Sequence, residues 1–154
     1  MSGILAGRRV LVVGAGTRPT SDPEAPPGNG RAIAVVAGRQ GAAVACADLD
    51  ADAAAHTADL VAETGATSTI HAGDVRDDAT CERLVAEAAE ALGGLDGLVV
   101  NVGIGAGGWL GGTTPQQWDD VFSVNVRSHF LLCRAALPVI DDDGMVLRES
   151  HVIL

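Results

Sequence analysis

Three glycines and an aspartate near the start of the chain have the types and spacing of a site for phosphates and a ribose. Gly14 follows one apolar run, whereas Gly28 and Gly30 open a helical pattern. Glycine allows a sharp backbone turn and lets phosphate oxygens approach without a Cβ in the way. Asp48 ends a second apolar run, where its carboxylate can accept hydrogen bonds from both ribose hydroxyls of NAD and would repel the 2′-phosphate of NADP. These residues predict a dinucleotide site that prefers NAD.

The elements that must position these residues form one βαβ unit. Residues 9–13 and 42–47 are short apolar runs of the kind that form buried parallel strands, and residues 31–40 have the pattern of a helix between them. The N–H groups and the positive dipole end of that helix would face the pyrophosphate. Asn29 lies between the two glycines at this terminus, and Leu49 stands where an arginine would favour NADP. Both residues are therefore predicted to line the cofactor.

A proline-rich segment, residues 18–27, interrupts the spacing of the glycines. A G-x-G-x-x-G motif begun at Gly14 would need glycine at the position of Pro19, and the usual spacing is restored if residues 18–27 are an inserted loop. Since proline lacks an N–H donor and disfavours helix, the segment is predicted to be exposed. It could fold over the pyrophosphate with Arg18 reaching a phosphate oxygen, or it could be a tolerated surface insertion. The glycines could also be mere turn formers.

Gly14 together with Gly28-Asn29-Gly30 and the following Arg-Ala-Ile-Ala resembles the glycine motif of the short-chain dehydrogenase/reductase family, lengthened by the loop. The resemblance implies an NAD-dependent oxidoreductase that transfers a hydride between nicotinamide and a small-molecule alcohol or carbonyl substrate. The alternation of strands and helices predicts an α/β fold, a doubly wound parallel sheet (Rossmann fold) in three layers, α/β/α, with strand order 3-2-1-4-5. We expect residues 1–154 to form a single NAD(P)-binding domain.

Four further positions gain a role from the same resemblance. Asp74 and Val75 match the pair that holds the adenine ring, with Asp74 taking the exocyclic amine, although a turn or N-cap aspartate is the alternative. Asn101 matches the first residue of the family's N-N-A-G segment, which lies along the cofactor, but the three residues after it depart from that pattern. Asn125 matches the catalytic Asn, whose main chain supports a kinked helix and a water of the proton relay. A lone helical Asn is otherwise usually a satisfied core residue.

Periodicity and end signals predict the remaining elements. Helices are expected from Asp50 or Asp52 to Glu63, from Asp78 to Leu92 and from a capping box at Thr114 to Leu137; strands are expected at 67–72, at 97–101 and from Gly144. Residues 105–112 have the composition of a flexible glycine-rich loop near the substrate. The predicted inward faces are Ile33, Val36 and Ala37 in the first helix and Ala53, Thr57, Leu60 and Val61 in the second, with Trp118, Val121, Phe122 and Val126 as an apolar stripe on the long helix.

The resemblance also implies catalytic groups that are absent from these 154 residues. Family members carry a Ser on the fifth strand and Tyr-x-x-x-Lys on the next helix, but the sequence has neither Tyr nor Lys. Without a positioned acid or base, hydride transfer loses on the order of 10² to 10⁴ in rate. The simplest register brings Ser150 near the family's paired serines, with His151 where the catalytic one is expected. We therefore expect a C-terminally truncated chain, about 55–60% of a family domain; a catalytically inactive NAD-binding or interaction module is the alternative.

Composition narrows the choice of partners. Twenty acidic residues against ten basic ones, all Arg, give a net charge of −10, which disfavours a nucleic-acid surface. No apolar run approaches about 18 residues, so we expect no membrane attachment and a cytoplasmic protein. The isolated cysteines and histidines argue against a disulfide framework or a metal site. An incomplete sheet would expose an apolar edge, so self-association as a homo-oligomer is expected.

Overall fold

Five parallel strands form the centre of the molecule in the computed structural model, which describes residues 3–18, 20–22 and 24–148. The strands are β1 (Arg9–Val13), β2 (Ala43–Asp48), β3 (Ser68–Ala72), β4 (Leu95–Val100) and β5 (Ile140–Arg148). They form one sheet in the order β3-β2-β1-β4-β5. The predicted doubly wound α/β fold is confirmed, including its strand order.

Helices cover both faces of this sheet. They are α1 (Asn29–Arg39), α2 (Ala51–Ala62), α3 (Asp78–Leu92), α4 (Trp109–Gly112), α5 (Pro115–Phe122) and α6 (Ser128–Ala136), with a π-helical turn at Ser123–Arg127. The pair α1 and α2 packs on one face, and α3 and α6 pack on the other, which gives the three layers. In the described part of the chain, no helix is both long and apolar enough to cross a bilayer.

Strand β1 shows why the central strands contain continuous apolar runs. Val10 and Val12 belong to the core cluster under α1 and α2, whereas Leu11 and Val13 belong to the cluster under α3 and α6. Successive side chains of a strand point to opposite faces, so the part of a strand that is covered on both faces is apolar at consecutive positions. Burying each of these side chains contributes about 1.5–3 kcal/mol. The two core clusters together hold the carboxyl ends of the strands in place.

The inward faces of the first two helices differ in part from the prediction. The buried residues are Gly30, Ala34, Ala37 and Gly38 in α1 and Ala54, Thr57, Ala58 and Val61 in α2. Val36, predicted to face inward, is 53% exposed, and Leu60 is only half-buried. Small residues face inward in α1 because the helix lies close to its neighbours: a Cβ at Gly38 would lie 3.0 Å from Val61 Cγ1. The bulkier side chains are therefore turned to the periphery.

The predicted long helix is interrupted. Its capping box is present, since Thr114 Oγ1 accepts from the Gln117 N–H and Gln117 Oε1 accepts from the Thr114 N–H. The helix then passes through the π turn at Ser123–Arg127 before it continues as α6 to Ala136. A π turn inserts one residue and frequently marks a functional site. Its place here coincides with a predicted catalytic residue.

The apolar stripe of the long helix lies mostly at the surface. Val121 is fully buried, but Trp118 and Val126 are exposed, and Trp118 stacks on Phe122 with ring centroids 4.6 Å apart. The glycine-rich segment before this helix contains one helical turn, α4, in which the side chain of Trp109 is exposed.

The fifth strand begins earlier than predicted. Ile140 pairs with Leu95 on β4, and the main ladder resumes where Met145 pairs with Gly97, with an irregularity between the two. The prediction placed the start of the strand at Gly144. Ser150 and His151 lie outside the described residues.

A buried ion pair fixes the amino-terminal end of the sheet, opposite the predicted site. Arg9 Nε lies 2.7 Å from Asp96 Oδ2, and the backbone N–H of Arg9 donates to the same oxygen at 2.8 Å. The Asp96 side chain is 8% exposed. Hydrogen bonding from Arg9 lowers the pKa of Asp96 to about 2. This pair ties β1 to β4 at the ends remote from the cleft described below.

Candidate functional site

The carboxyl ends of the central strands open into a cleft of about 880 Å³. It lies where the strand order reverses between β1 and β4, which is the usual ligand position in doubly wound sheets. Of the residues predicted to hold a cofactor, eight line the cleft: Gly14, Gly28, Asn29, Asp48, Leu49, Asp74, Val75 and Asn101. Gly30 and Asn125 are buried and do not line it.

The glycine turn is packed so tightly that side chains are excluded from it. Gly14 has φ +80°, and a Cβ at this residue would lie 2.4 Å from the carbonyl oxygen of Asn101. A Cβ at Gly30 would lie 1.8 Å from the carbonyl oxygen of Gly14. The first turn of α1 therefore rests directly on the turn that follows β1. This contact brings the amino terminus of α1 to the floor of the cleft.

Asp48 is held against this turn. Its Oδ2 accepts a hydrogen bond of 2.7 Å from the Gly16 N–H, and its Oδ1 accepts one of 3.1 Å from the Asp50 N–H. An ionised carboxylate has about four acceptor positions, so further hydrogen bonds remain possible at both oxygens. Gly16 was not among the predicted site residues, although the Gly-x-Gly spacing that begins at Gly14 was visible in the sequence. A Cβ at Gly16 would lie 2.8 Å from Asp48 Oδ2.

The amino terminus of α1 is suited to an anion. The helix has no acidic residue in its first turn, and its N-cap, Gly28, has no side chain to cap it. The first N–H groups of a helix have no intrahelical partner, so those of Asn29 and Gly30 point out of its end. Thr17 Oγ1 accepts from the Gly28 N–H at 2.9 Å and fixes the entry to the helix. Thr17 is a second residue that the sequence prediction missed.

Asp74 has a partner that the sequence prediction also missed. Its carboxylate forms a two-pronged pair with Arg76, with Nε to Oδ1 at 3.0 Å and Nη2 to Oδ2 at 2.5 Å. Hydrogen bonding from Arg76 lowers the pKa of Asp74, so this carboxylate is ionised at neutral pH. Arg127, in the π turn, donates to the Arg76 carbonyl at 2.9 Å and pairs with Asp78. Val75 lies buried between these charges and the core.

Asn101 connects the sheet to the glycine turn. Its backbone N–H donates to the Val13 carbonyl at 2.8 Å and extends the ladder between β1 and β4. Its side-chain Nδ2 donates to the Gly14 carbonyl at 3.2 Å. The residue therefore supports the turn and contributes to the wall of the cleft.

Asn125 lies in the π turn and supports the loop that follows β4. It is 1% exposed. Its Nδ2 donates to the Ile104 carbonyl, and its Oδ1 accepts from the Ile104 N–H, both at 2.9 Å. Because Ile104 lines the cleft, this pair of hydrogen bonds joins the irregular helix to the cleft wall. Both ends of the side-chain amide are hydrogen-bonded in this arrangement, and through Ile104 the side chain supports the wall of the cleft.

Comparison with known proteins agrees with this architecture. Residues 26–152 match the model of a family described as enoyl-(acyl carrier protein) reductase. The short chain dehydrogenase/reductase AacuN of Aspergillus aculeatus is 36% identical over 149 residues, which cover 95% of this chain and 52% of that protein. The chain belongs to the short-chain dehydrogenase/reductase family. The predicted family is therefore confirmed.

Other similar proteins extend the comparison of this short-chain dehydrogenase/reductase. 2-(S)-hydroxypropyl-CoM dehydrogenase 3 of Xanthobacter autotrophicus is 35% identical over 127 residues, or 82% of this chain and 48% of that protein. A short chain dehydrogenase from Burkholderia cenocepacia, solved in complex with NADP, superposes with a TM-score of 0.82 at 30% identity, covering 94% of this chain and 55% of that chain. The chain thus spans about half the length of the curated relatives it matches.

Proposed function

We propose that this chain binds NAD in the cleft and serves an oxidoreductase that acts on an alcohol or carbonyl substrate. When bound, the nicotinamide would donate or accept the hydride. The observation that carries the proposal is the position of Asp48, whose carboxylate lines the cleft and is hydrogen-bonded to Gly16 in the glycine turn. Membership of the family supports a nicotinamide cofactor. Because Gly30 has no Cβ, the first turn of α1 can rest on the Gly14 carbonyl oxygen, which places the start of α1 under the cleft.

The proposal assigns each part of the cleft to a part of the dinucleotide. The N–H groups of Asn29 and Gly30 would donate to the pyrophosphate. Asp48 would accept from the ribose hydroxyls, and Asp74 would accept from the exocyclic amine of adenine. The full set that would contact or support the cofactor is Gly14, Gly28, Asn29, Gly30, Asp48, Leu49, Asp74, Val75 and Asn101.

We propose that Asp48 also makes the site prefer NAD to NADP. A carboxylate at this position would repel a 2′-phosphate, and the neighbouring Leu49 has no charge to offset that repulsion. Titration calorimetry with both cofactors tests this with Asp48→Ala. We expect NAD to bind about 10- to 100-fold more weakly, the equivalent of one or two hydrogen bonds to a charged group, with a smaller loss for NADP. Asp59→Ala is the control, because it removes the same negative charge from an exposed position on α2. If Asp48→Ala weakened the binding of NAD and NADP equally, the assignment would be overturned.

Turnover is a separate question from binding. We propose that Asn125 supports the helix and the proton relay of the catalytic centre, as the family resemblance implies. The 154 residues supply neither Tyr nor Lys for that relay, and this observation favours NAD binding without turnover as the second candidate function. Calorimetry with NAD and NADH, combined with an absorbance assay for alcohol-dependent NADH formation, separates the two. Binding with turnover supports the oxidoreductase, and binding alone supports the module.

We further propose that the chain associates with a second copy of itself. Phe130 and Leu137 on and after α6 expose large apolar side chains, and β5 is the last strand of the described sheet. Exposed apolar patches and unpaired strand edges favour association. Size-exclusion chromatography with light scattering tests this proposal, and a stable monomer at micromolar concentration would contradict it.

We also propose a cytoplasmic setting. Cys46 and Cys81 are buried free thiols, and burial raises the pKa of Cys46 to about 12 and that of Cys81 to about 11. Free thiols are typical of a reducing compartment. Fluorescence microscopy of a tagged chain tests the location, and a signal confined to the cell envelope would contradict it.

A further inference from the structure

The proline-rich segment after the glycine turn brings a cation to the mouth of the cleft. Arg18 Nη2 donates to the Gly103 carbonyl at 2.9 Å. This hydrogen bond joins the segment that follows β1 to the segment that follows β4. Both residues line the cleft, as do Thr20 and Pro26 farther along the same segment. Among the described residues of the segment, Arg18, Thr20 and Pro26 therefore form part of the cleft wall.

The guanidinium group of Arg18 is available to bind an anionic ligand. Within the described residues it forms no ion pair, whereas Arg76, the other arginine that lines the cleft, is paired with Asp74. A guanidinium group has five N–H donors, so the hydrogen bond to Gly103 leaves the remaining donors for a ligand. Asp48 and Asp50 also line the cleft, and the chain has a net charge of −10. A bound anion would thus meet a strongly acidic surface unless a cation lies beside it.

The order of the strands indicates which part of a dinucleotide Arg18 would meet. Asp48, the proposed ribose ligand, stands at the end of β2, on one side of β1. Gly103, which positions Arg18, follows β4 on the other side of β1. The amino terminus of α1 lies against the turn after β1, between the two. Gly103 therefore holds Arg18 on the β4 side of the cleft, across the amino terminus of α1 from Asp48.

We propose that Arg18 binds the pyrophosphate of the dinucleotide, so that the proline-rich segment is a working part of the cofactor site. The inference rests on the proposed function, because it requires the dinucleotide to lie in this cleft. The end of α1 contributes the equivalent of only about half a positive charge, which does not balance the two charges of a pyrophosphate. Arg18 contributes a full charge and a planar set of donors that matches phosphate oxygens.

Titration calorimetry of Arg18→Ala with NAD, NADP, ADP-ribose and adenosine tests the inference. Arg18 is exposed, so its removal leaves the core intact. We expect NAD and ADP-ribose to bind about 10- to 100-fold more weakly, as for the loss of a charge-assisted hydrogen bond, and adenosine to bind within twofold of wild type. Arg18→Lys should recover part of the loss. Arg39→Ala is the matched control, because it removes the same charge from the far end of α1, about 15 Å away.

The outcomes separate this inference from the proposed function. If wild type and Arg39→Ala bind NAD but Arg18→Ala binds it within twofold of wild type, Arg18 is not a ligand of the pyrophosphate and the proposed function stands. If the loss affects NADP alone, Arg18 faces a 2′-phosphate and the pyrophosphate assignment is wrong. If wild type binds neither NAD nor ADP-ribose, the proposed function fails and the inference fails with it.

Discussion

Replacement of Gly30 by alanine tests the packing of α1 against the glycine turn. The added Cβ would lie 1.8 Å from the Gly14 carbonyl oxygen and 2.8 Å from Asn101 Nδ2. Ordinary contact requires about 3.5 Å, so the helix terminus would have to withdraw by about 1.7 Å. The neighbour is backbone, which cannot rotate away as a side chain can. The start of α1 should therefore move, and the N–H groups proposed to bind the pyrophosphate should move with it.

Two opposing effects determine how much Gly30→Ala changes the stability of the fold. Alanine favours a helix over glycine by at most about 1 kcal/mol, which alone predicts a more stable protein. Overpacking a tight contact costs about 1–3 kcal/mol, and more where backbone must shift. Because the clash involves backbone at both ends, we expect the clash to dominate by about 2 kcal/mol. The melting temperature should then fall by about 4–8 °C in a domain of this size.

Urea denaturation followed by circular dichroism, together with NAD calorimetry, measures both consequences of Gly30→Ala. Gly111→Ala is the matched control, since a Cβ at Gly111 would meet no atom within 4 Å. We expect Gly30→Ala to lose stability and NAD affinity together, and Gly111→Ala to keep its NAD affinity and to gain at most about 1 kcal/mol in stability. A Gly30→Ala protein as stable as wild type with unchanged NAD affinity would refute the close contact between α1 and the glycine turn.

Three further predictions concern the supports of the site. Asp96→Asn should destabilise the protein by about 3 kcal/mol at pH 7, since it leaves Arg9 without its buried partner. Because the pKa of Asp96 is lowered in the folded state, the ionised carboxylate stabilises the fold by about 2 kcal/mol above about pH 4, and this contribution is lost as the pH falls toward 2. The difference in unfolding free energy between wild type and Asp96→Asn, measured by urea denaturation, should therefore shrink over that range. A constant difference would exclude this linkage. Asn125→Leu should cost about 1–3 kcal/mol, because both hydrogen bonds to Ile104 are lost, and amide exchange at Ile104 should accelerate; unchanged protection there would contradict the supporting role. Arg127→Met should change the unfolding free energy by less than about 1 kcal/mol, as its ion pair is half exposed, and a much larger loss would mean that the π turn depends on that pair.

The fold was predictable because its strands are short apolar runs that alternate with helical patterns. The alternation of Val10 and Leu11 between the two core clusters follows from burial on both faces of the sheet. The orientation of Val36 was not predictable, because periodicity identifies an apolar face but not how closely the helix approaches its neighbours. The π turn was not predictable from local pattern, and its Asn125 is hydrogen-bonded to Ile104, a residue 21 positions away in the sequence. The early start of β5 likewise depends on the pairing of Ile140 with β4.

Some residues of the candidate site could likewise be predicted from the sequence, and others could not. Asp48 could be predicted because it ends the apolar run that forms β2, and in the structure it lines the cleft. Gly16 donates a hydrogen bond to Asp48, and Thr17 accepts one from the Gly28 N–H. No local sequence pattern reveals either contact. Arg76 is two residues from Asp74, but nothing in that spacing indicates that its side chain turns back to pair with it. Spacing therefore identified the strand ends, and the contacts between them required the structure.

Titration of the isotopically labelled chain with NAD, followed by amide chemical shifts, tests the central claim most directly. If the cleft binds the dinucleotide, the largest shifts should fall on Gly16, Asn29, Gly30 and Asn101, whose N–H groups lie in the glycine turn, at the start of α1 and at the end of β4. Asp59→Ala should give the same pattern. Shifts that are largest on the outer faces of α1 and α2, or no shifts at millimolar NAD, would contradict the claim.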